Sequence, residues 1–281
     1  MQIVRTIAEL QFVRRAIYLE ADEQLGFVPT MGALHEGHRS LIERARQECS
    51  FVAASIFVNP LQFAPMEDLG RYPRTFEADC RMLEAEGVDL LFAPTAGEMY
   101  PAGATTVIHV QGIEDRLDGA SRPGHFTGVA TVVAKLFHLV RPTRAYFGQK
   151  DAAQLAILKQ MVRNLNFQIE LVGCPIVRDA DGLALSSRNR YLSVEERTRA
   201  LLLVRTLDDL ARLIAGGQRE AAVLLAQGRA MLANDDDILL EYLTFVDADT
   251  LLPVEVVRSG NLTAIAAKVG STRLIDNFLV L

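Results

Sequence analysis

The sequence predicts an α/β protein, with a parallel β-sheet covered by helices on both faces and a smaller α+β unit toward the C-terminus. Short apolar runs rich in β-branched residues alternate with amphipathic helical patterns between about residue 25 and residue 175. Apolar strands that alternate with helices are typical of a parallel sheet buried on both faces. After residue 175 the order changes to two helical patterns followed by three strand patterns, which indicates a second, small domain.

The strands of the parallel sheet are predicted where continuous apolar runs occur. The runs cover residues 25–28, 51–58, 88–92, 105–110, 144–147 and 169–172. The clearest helical patterns between them cover residues 74–86, 127–140 and 152–166, and residues 1–23 also show apolar positions at helical spacing. We expect Thr75 to cap the first of the clear helices and Gly87 to end it, because hydroxyls accept orphan N–H groups and glycine tolerates a left-handed conformation.

The predicted C-terminal unit begins with a capping box. Ser193 and Glu196 open a long helix that continues to about residue 215, where two glycines end it. A second helix and three strands follow, over about residues 219–233, 238–246, 262–269 and 273–280. We expect these strands to form a small mixed sheet.

The domain boundary is placed near Pro175, where the pattern changes. This choice gives a large domain of residues 1–175 and a small domain of residues 176–281. Residues 176–192 are then the hinge that faces both domains.

Composition and charge restrict the class of partner. The chain has 281 residues, of which 50% are hydrophobic and 23% charged, as in ordinary globular proteins. A formal net charge of −6 argues against a broad surface for nucleic acid or anionic membrane, and it fits a small anionic ligand held in a local basic pocket. We therefore expect no nucleic-acid partner and no membrane association.

The cysteines and the N-terminus predict a cytoplasmic location. Cys49, Cys80 and Cys174 are scattered and form no Cys-x-x-Cys pair, which indicates reduced thiols. Residues 1–23 mix charged and apolar positions and do not resemble a secretory signal. No apolar run approaches the roughly 20 residues that a membrane helix needs.

The segment between the first predicted strand and the next helix carries the strongest functional signal. Residues 29–38 read Pro-Thr-Met-Gly-Ala-Leu-His-Glu-Gly-His, and a helical pattern begins near Arg39. Backbone N–H groups and the positive end of the helix dipole favour a phosphate at such a turn. His35 and His38 share one face of the first helical turn, so both can donate to an anion without a permanent charge.

Three other interpretations of this segment compete with a phosphate site. A zinc pair would have ligands at i and i+4, which His-Glu-Gly-His does not supply, so we predict no metal ligand here. A structural pair would be satisfied by backbone carbonyls. A dinucleotide turn needs Gly-x-Gly-x-x-Gly, which the spacing of Gly32 and Gly37 does not match.

Amide side chains follow the second predicted strand. Asn59 and Gln62 should emerge at the same sheet edge as the histidines, where they could hold a hydroxyl and a carboxylate between Phe57 and Phe63. The alternative is that Asn59-Pro60 simply begins a loop.

A lysine and an aspartate follow the strand at 144–147. Lys150 is placed to meet phosphate beside a helix N-terminus, and Asp151 could accept from ribose hydroxyls. The alternative makes Asp151 a helix cap and Lys150 a solvated charge.

Further along, Ser186, Ser187 and Arg188 form a candidate oxyanion clamp on an irregular segment, because no structural role for them is evident.

Taken together, several motifs resemble the pantothenate synthetase family, also called pantoate–β-alanine ligases. The motifs occur in order over nearly the whole chain, at residues 29–38, 57–63, 71–75, 122–128, 148–151, 185–192 and 273–277. The resemblance implies a Rossmann-like nucleotidyltransferase domain related to class I aminoacyl-tRNA synthetases, a C-terminal lid domain and a homodimer. It also implies the two-step, ATP-dependent condensation of (R)-pantoate with β-alanine through a pantoyl adenylate, with release of pyrophosphate and AMP.

The resemblance assigns roles to individual residues. The implied ATP contacts are Met31, Gly32, Ala33, Leu34, His35, Glu36, Gly37, His38, Gly148, Gln149, Lys150, Asp151, Val177, Leu185, Ser186, Ser187 and Arg188. The implied catalytic set is His35, His38, Lys150, Ser186, Ser187 and Arg188, with His38 as proton donor. Gln62 and Gln154 match the glutamines that hold pantoate, Gln62 also lies close to the β-alanine site, and Asn59 joins this substrate set. Mg²⁺ is expected to bind mainly through the ATP phosphates, with no dedicated protein metal site.

Two departures and two rival functions complete the sequence interpretation. Gln149 replaces a glutamate and Ala153 a glutamine that are frequent in the family, which bears on affinity and not on the reaction. One rival is a nucleotidyltransferase acting on a phosphate ester, which would need cations where Gln62 and Gln154 stand. The other is a non-catalytic ATP- or tRNA-binding module, against which the negative net charge argues.

Overall fold

A six-stranded parallel sheet forms the centre of the large domain, as predicted. The computed structural model describes residues 1–17, 23–63, 68–233 and 235–281. In chain order the strands are β1 (Gln2–Val4), β2 (Leu25–Thr30), β3 (Phe51–Ile56), β4 (Leu90–Phe92), β5 (Arg144–Gly148) and β6 (Glu170–Cys174). Across the sheet they lie in the order β1-β4-β3-β2-β5-β6, and every neighbouring pair is parallel.

Helices cover both faces of this sheet. They are α1 (Ile7–Ala16), α2 (Glu36–Glu48), α3 (Phe76–Ala85), α4 (Ala96–Met99), α5 (Asp118–Ser121), α6 (His125–Val140) and α7 (Ala152–Asn164). Phe27 and Val28 are adjacent on β2 and therefore face opposite sides of the sheet. Phe27 packs in the cluster formed with α1, α6 and α7, and Val28 in the cluster formed with α2 and α3. None of the helices in the described ranges has the length and hydropathy of a membrane span.

The crevice for a ligand lies where β2 and β5 are neighbours. β2 continues through α2 to β3 on one side, whereas β5 continues through α7 to β6 on the other. The two connections leave the carboxyl edge in opposite directions, and such a switch point is the usual ligand position in an open α/β sheet. The loops after these two strands carry His35 and Lys150.

The C-terminal unit is two helices packed on three antiparallel strands. Its elements are α8 (Val194–Ala215), α9 (Ala221–Leu232), β7 (Ile238–Asp247), β8 (Asn261–Val269) and β9 (Thr272–Leu279). The predicted capping box is confirmed, since Ser193 accepts from the Glu196 N–H and the Glu196 side chain accepts from the Ser193 N–H. The predicted mixed sheet is wrong, because both strand pairs are antiparallel. The turn between β8 and β9 is too short for the crossover that a parallel pair needs.

The small sheet contacts a different neighbour on each face. Leu243 and Ile265 pack under α8 and α9, whereas Val246 and Leu262 join the hydrophobic cluster of the large parallel sheet. The alternation of side chains along a strand makes this possible. The C-terminal unit is thus placed beside the carboxyl edge that carries the crevice.

One predicted strand is absent from the structure, and one observed strand was not predicted. Residues 105–110 form no strand in the structure: Val107 is 46% exposed, and the Ile108 N–H donates to the Thr131 hydroxyl at 2.9 Å. The run is apolar enough for a strand but has no neighbouring strand to pair with among the described residues. Conversely, β1 was not predicted, because three residues are too few for a pattern and only pairing with β4 defines them. Residues 18–22 of the N-terminal helical pattern lie outside the described residues.

Thr75 occupies the predicted N-cap position of α3, but the expected capping hydrogen bond is absent. Its hydroxyl donates instead to Asp79 Oδ1 at 3.0 Å. Gly87 does follow the helix end, with φ of +71°. The hydroxyl is diverted because Asp79 is a buried carboxylate that needs donors.

Candidate active site

A cleft opens at the carboxyl ends of β2 and β5. Its lining comes from the large parallel-sheet unit and from the connection between β6 and α8. The predicted residues among its lining are Met31, His35, Gly37, His38, Asn59, Gln62, Gly148, Lys150, Asp151, Gln154, Val177, Leu185, Ser186, Ser187 and Arg188. The predicted residues that do not line it are Gly32, Ala33, Leu34, Glu36 and Gln149.

The two histidines sit at the start of α2 and hold each other in place. His35 is the N-cap, and its Nδ1 accepts from the Gly37 N–H at 3.1 Å. His38 Nδ1 accepts from the His35 N–H at 3.4 Å, and the ring centroids are 4.2 Å apart. Because each Nδ1 is an acceptor, each neutral ring carries its proton on Nε2. A Cβ at Gly37 would lie 2.9 Å from the His35 ring, so a side chain there would displace that ring.

Burial keeps both imidazoles neutral. It lowers the pKa of His38 to about 3, with His35 and the Lys150 charge acting in the same direction. It lowers the pKa of His35 to about 4, again assisted by Lys150. Both rings are therefore uncharged N–H donors at neutral pH. They can stabilise negative charge that develops on a phosphate without first losing a proton.

The backbone of the loop before α2 is occupied by a carboxylate. Asp79, only 3% exposed, accepts from the Ala33 N–H at 3.0 Å and from the Leu34 N–H at 2.9 Å. The Gly32 N–H donates to the Thr30 hydroxyl at 3.1 Å. The expectation that these loop amides face a phosphate is therefore not met, since Asp79 and the Thr30 hydroxyl already accept their hydrogen bonds. Their role is to shape the turn that presents the histidines.

Two further predicted contacts face away from the cleft. Glu36 is exposed and pairs with Arg39 at 3.0 Å on the outer surface of α2. Gln149 contributes its carbonyl to a hydrogen bond from Asn277. Sequence spacing could not separate these residues from their cleft-lining neighbours, because all of them belong to the same short loops.

Asn59 supports Gln62 and has no spare group for a ligand. It is 1% exposed, and its Nδ2 donates to Gln62 Oε1 and to the Gly128 carbonyl, both at 3.1 Å. Its Oδ1 accepts from the Leu61 N–H and from the Tyr100 hydroxyl. Both N–H groups and both lone pairs are used. Asn59 is thus a positioning residue, which corrects the expectation of direct substrate contact.

Gln62 is held from the other side by residues that sequence reasoning left out of the site. His125 Nδ1–H donates to the Gln62 carbonyl at 2.8 Å, and Arg122 Nη2 donates to the same oxygen at 3.3 Å. Arg122 Nη1 also donates to His125 Nε2 at 3.0 Å. Both side chains line the cleft. Their motif, residues 122–128, was available as a signal but showed no role by itself.

The turn after β5 presents a lysine and an aspartate. The turn, Gln149–Asp151, is a 3₁₀ helix, and Lys150 Nζ forms no ion pair with any carboxylate of the described residues. Asp151 occupies the N-cap position of α7, yet its exposed side chain makes no capping hydrogen bond. The simple capping interpretation of Asp151 is therefore wrong.

The serine–arginine segment enters the cleft from the connection between β6 and α8. Ser186 Oγ accepts from the Arg188 N–H at 3.2 Å and so caps a 3₁₀ helix, Ser187–Tyr191. Ser186 thus has a structural role that its sequence did not indicate. The Tyr191 hydroxyl donates to the Arg71 carbonyl at 3.1 Å, which ties this segment to the large domain.

The cleft lining combines two sets of side chains. One set, which we call the phosphate wall, comprises Lys150, Arg188 and the Nε2–H donors of the histidines, and it suits a polyphosphate. The other set, which we call the amide wall, comprises Gln62 and Gln154 together with the apolar α6 residues Val129, Val132 and Val133. Such a cleft suits a polyphosphate next to a small acceptor that has a carboxylate and hydroxyls.

Comparisons with known proteins agree with this geometry. The family model for pantoate-beta-alanine ligase matches residues 2–279. The pantothenate synthetase of Acidobacterium capsulatum is 57% identical over 290 residues, covering 100% of this chain and 97% of that protein.

Solved structures with the same fold extend this agreement. The pantothenate synthetase of Thermus thermophilus superimposes with a TM-score of 0.94 at 49% identity, covering 100% of this chain and 99% of that one. The pantoate-beta-alanine ligase of Francisella tularensis, complexed with beta-gamma ATP and beta-alanine, gives 0.80 at 34% identity, covering 99% and 97%. The chain therefore belongs to the pantoate–β-alanine ligase family.

Proposed function

We propose that this chain condenses (R)-pantoate with β-alanine to pantothenate, using ATP and passing through a pantoyl adenylate. The observation that carries the proposal is the pairing of a cationic, N–H-rich wall with an uncharged amide wall in one cleft. The family and the relative bound to an ATP analogue and β-alanine support it. A phosphate-ester substrate would instead require cations at Gln62 and Gln154, and the nearby Arg122 guanidinium is bonded to the Gln62 carbonyl and to His125.

In the first step a pantoate carboxylate oxygen attacks the α-phosphorus of ATP. The new O–P bond forms as the bond to the β-phosphate oxygen breaks, and pyrophosphate leaves. His35 and His38 donate Nε2–H to phosphate oxygens, while Lys150, Ser186, Ser187 and Arg188 hold the leaving pyrophosphate. Preorganised donors of this kind are worth roughly 3 to 4 kcal/mol each when removed.

The donor set fits a Mg²⁺ held mainly by ATP. Asp151 is the only carboxylate among the described residues that line the cleft, and no described group of three or more His, Cys, Asp or Glu side chains could hold a metal. Mg²⁺ commonly keeps waters and binds through substrate phosphates with one or two carboxylates. When bound, it would offset phosphate charge, and Asp151 is the side chain placed to assist.

In the second step the neutral amine of β-alanine attacks the acyl carbon of the adenylate. The C–N bond forms, the C–O bond to AMP breaks, and the nitrogen releases its extra proton to solvent. The mixed anhydride is already activated, so this chain mainly has to position the amine. In this proposal Gln62 holds pantoate in the first step and lies close to β-alanine in the second.

Pyrophosphate exchange tests the order of the two steps. With pantoate and Mg²⁺ but without β-alanine, the protein should exchange labelled pyrophosphate into ATP. A phosphate-ester nucleotidyltransferase would ignore pantoate, and a binding module would show no exchange at all. Folded, ATP-binding protein without pantoate-dependent exchange would refute the adenylate.

The proposal extends to domain organisation and location. Residues 1–175 would form the nucleotide and pantoate domain and residues 176–281 a lid, with 176–192 as hinge. The separate hydrophobic cluster beneath α8 and α9 and the two-sided lining of the cleft support this division. The free thiols Cys49, Cys80 and Cys174 support a reducing, cytoplasmic location.

We also propose that the protein is a homodimer, with residues 104–110 at the interface. The Val107 and His109 N–H groups make no hydrogen bond to any described residue, while the intervening Ile108 N–H is bonded internally. Apart from His109, the segment has no residue with an acidic or basic side chain. Two antiparallel copies could therefore pair around Val107, placing Thr105 opposite His109 without charge repulsion.

A further inference from the structure

Two adjacent residues of β9 reach both cationic segments of the cleft. We propose that Asp276 and Asn277 are positioning residues, which hold the Lys150 turn and the Ser186–Arg188 segment at a fixed separation. The inference rests on the proposed function, since it assigns a purpose to the phosphate wall. It makes the C-terminal strand, far from both segments in sequence, a determinant of phosphate-binding geometry.

Asn277 holds the turn that carries Lys150. Its Nδ2 donates to the Gln149 carbonyl at 3.0 Å and to the Lys150 carbonyl at 2.8 Å. The residue is 3% exposed, and its Oδ1 is buried without a hydrogen-bond partner among the described residues. The opposite amide orientation would place Oδ1 against two carbonyl oxygens. The turn therefore dictates the orientation of this side chain, even at the cost of an unsatisfied oxygen.

Asp276 holds the base of the serine–arginine segment. Its carboxylate, on a residue that is 4% exposed, accepts from Arg178 Nη1 at 2.6 Å and from Arg178 Nη2 at 3.0 Å. Arg178 Nη1 also donates to the Gly182 carbonyl, and Arg178 pairs with Ala184 across a β-bridge. This small hairpin leads directly into Ser186.

The two side chains act from opposite faces of one strand. Successive residues of a strand point to opposite sides, so Asp276 reaches the hairpin while Asn277 reaches the Lys150 turn. The Asn277 N–H donates to Asp276 Oδ1 at 2.8 Å, which links the two groups. A shift of one element by about 1 Å can lower a rate by roughly a hundredfold, so such bracing bears directly on catalysis.

A double-mutant cycle tests whether Asn277 acts through Lys150. The variants are Asn277→Ala, Lys150→Ala and the double variant, and the probe is a non-hydrolysable ATP analogue with Mg²⁺ measured by calorimetry. We expect Asn277→Ala to weaken binding by about tenfold in the wild-type background but by less than about twofold when Lys150 is already absent. The pantoate KM should stay unchanged while the ATP KM rises.

Two controls separate bracing from general loss of stability. Asn261 lies on the same small sheet and caps a local turn, with its Oδ1 accepting from the Arg258 N–H at 2.8 Å, so Asn261→Ala should bind the analogue normally. Hydrogen exchange in the unliganded proteins should accelerate at residues 150–153 in Asn277→Ala and not in Asn261→Ala. If Asn277→Ala does not fold, Asn277→Asp keeps the shape and replaces the donors by an oxygen that repels the two carbonyls.

Equal weakening by Asn277→Ala in both backgrounds would overturn the inference. So would equal losses for ATP and pantoate, or unchanged exchange at residues 150–153. The binding cycle needs no turnover, so it decides the question even if the wild type lacks pantoate-dependent pyrophosphate exchange. The absence of pantoate-dependent pyrophosphate exchange would count only against the proposed reaction.

Discussion

At the scale of single residues, the chemistry of the cleft depends on histidines that carry no charge. His35 and His38 have their Nδ1 atoms bonded to backbone N–H groups, and burial lowers the pKa of each ring far below neutrality. An imidazole in this state donates from Nε2 and cannot supply a proton as an imidazolium does. We therefore propose that His38, expected from the family as a proton donor, acts as a hydrogen-bond donor to developing negative charge.

Removing the His38 donor should slow adenylation strongly. We expect His38→Ala to fold and to lose at least about a hundredfold in the rate of pantoate-dependent pyrophosphate exchange, as for other oxyanion donors. Circular dichroism and analogue binding would confirm that the variant is intact. Near-normal exchange in such a protein would remove His38 from the catalytic set.

The same histidines predict how stability depends on pH. The folded pKa of each ring lies below its unfolded value of about 6.5, so the unfolded chain binds more protons below that pH. The contribution of neutral His38 is present above about pH 6.5 and is lost as the pH falls toward its folded pKa of about 3. At pH 5 the loss is on the order of 2 kcal/mol. Urea unfolding at pH 7 and pH 5 should show a smaller difference in His38→Gln than in wild type, and equal differences would contradict the assignment.

The two glutamines should govern pantoate more than ATP. Gln62→Ala or Gln154→Ala leaves hydroxyl and carboxylate partners unsatisfied, and sites built on such bonds can discriminate by about 100-fold or more. Separate titrations of pantoate and ATP in steady-state assays provide the measurement. Equal effects on both substrates would place these side chains in the scaffold.

At the scale of elements, the site depends on how closely α6 approaches the turn that carries Gln62. A Cβ at Gly128 would lie 2.3 Å from the Leu61 carbonyl oxygen and 2.7 Å from the Gln62 nitrogen. Only glycine permits the contact, which also lets Asn59 bond to the Gly128 carbonyl. The helix therefore sets the position of the amide wall.

Gly128→Ala should displace this wall. We expect a loss of about 1–3 kcal/mol in the free energy of unfolding, as for overpacked sites, together with a higher pantoate KM. Gly97→Ala is the matched control, since Gly97 lies in α4 and a Cβ there meets no atom within 4 Å. A Gly128→Ala variant with normal stability and normal pantoate KM would show that α6 can retreat without consequence.

At the scale of the whole molecule, two units share one hydrophobic cluster. Val246 and Leu262 of the small sheet pack with the core of the large sheet, and Arg273 pairs with Asp118 at 2.6 Å. The hydrogen bonds from Asn277 to the Gln149 and Lys150 carbonyls place the C-terminal unit beside the turn after β5. Ser186 to Arg188, which precede this unit, line the same cleft as Lys150.

The proposed dimer gives a prediction at this scale. Val107→Lys places two like charges opposite each other in the antiparallel pairing, so it should produce monomers in sedimentation velocity experiments. Val194 is also an exposed valine, but it lies in α8, so Val194→Lys should leave the dimer intact. A monomeric wild type, or a dimeric Val107→Lys protein, would rule out this interface.

Local patterns in the sequence were sufficient for some of these features. Alternating apolar runs and helical patterns predicted the parallel sheet, because the pattern of each segment depends on which of its own residues are buried. The spacing of His35 and His38 predicted a shared face, and Ser193 with Glu196 predicted a helix start, because both involve residues within one helical turn. Resemblance to a family then supplied the reaction and the cleft residues.

Only the tertiary structure decided what each group does. Asp79 accepts a hydrogen bond from the Ala33 N–H, although the two residues are 46 positions apart in the sequence. Asn277 donates to the Lys150 carbonyl across 127 positions. Residues 105–110 are apolar enough for a strand but have no described strand beside them. In each case the outcome depends on which distant groups the fold brings within hydrogen-bonding distance, and competition for a buried donor or acceptor has no local signature in the sequence.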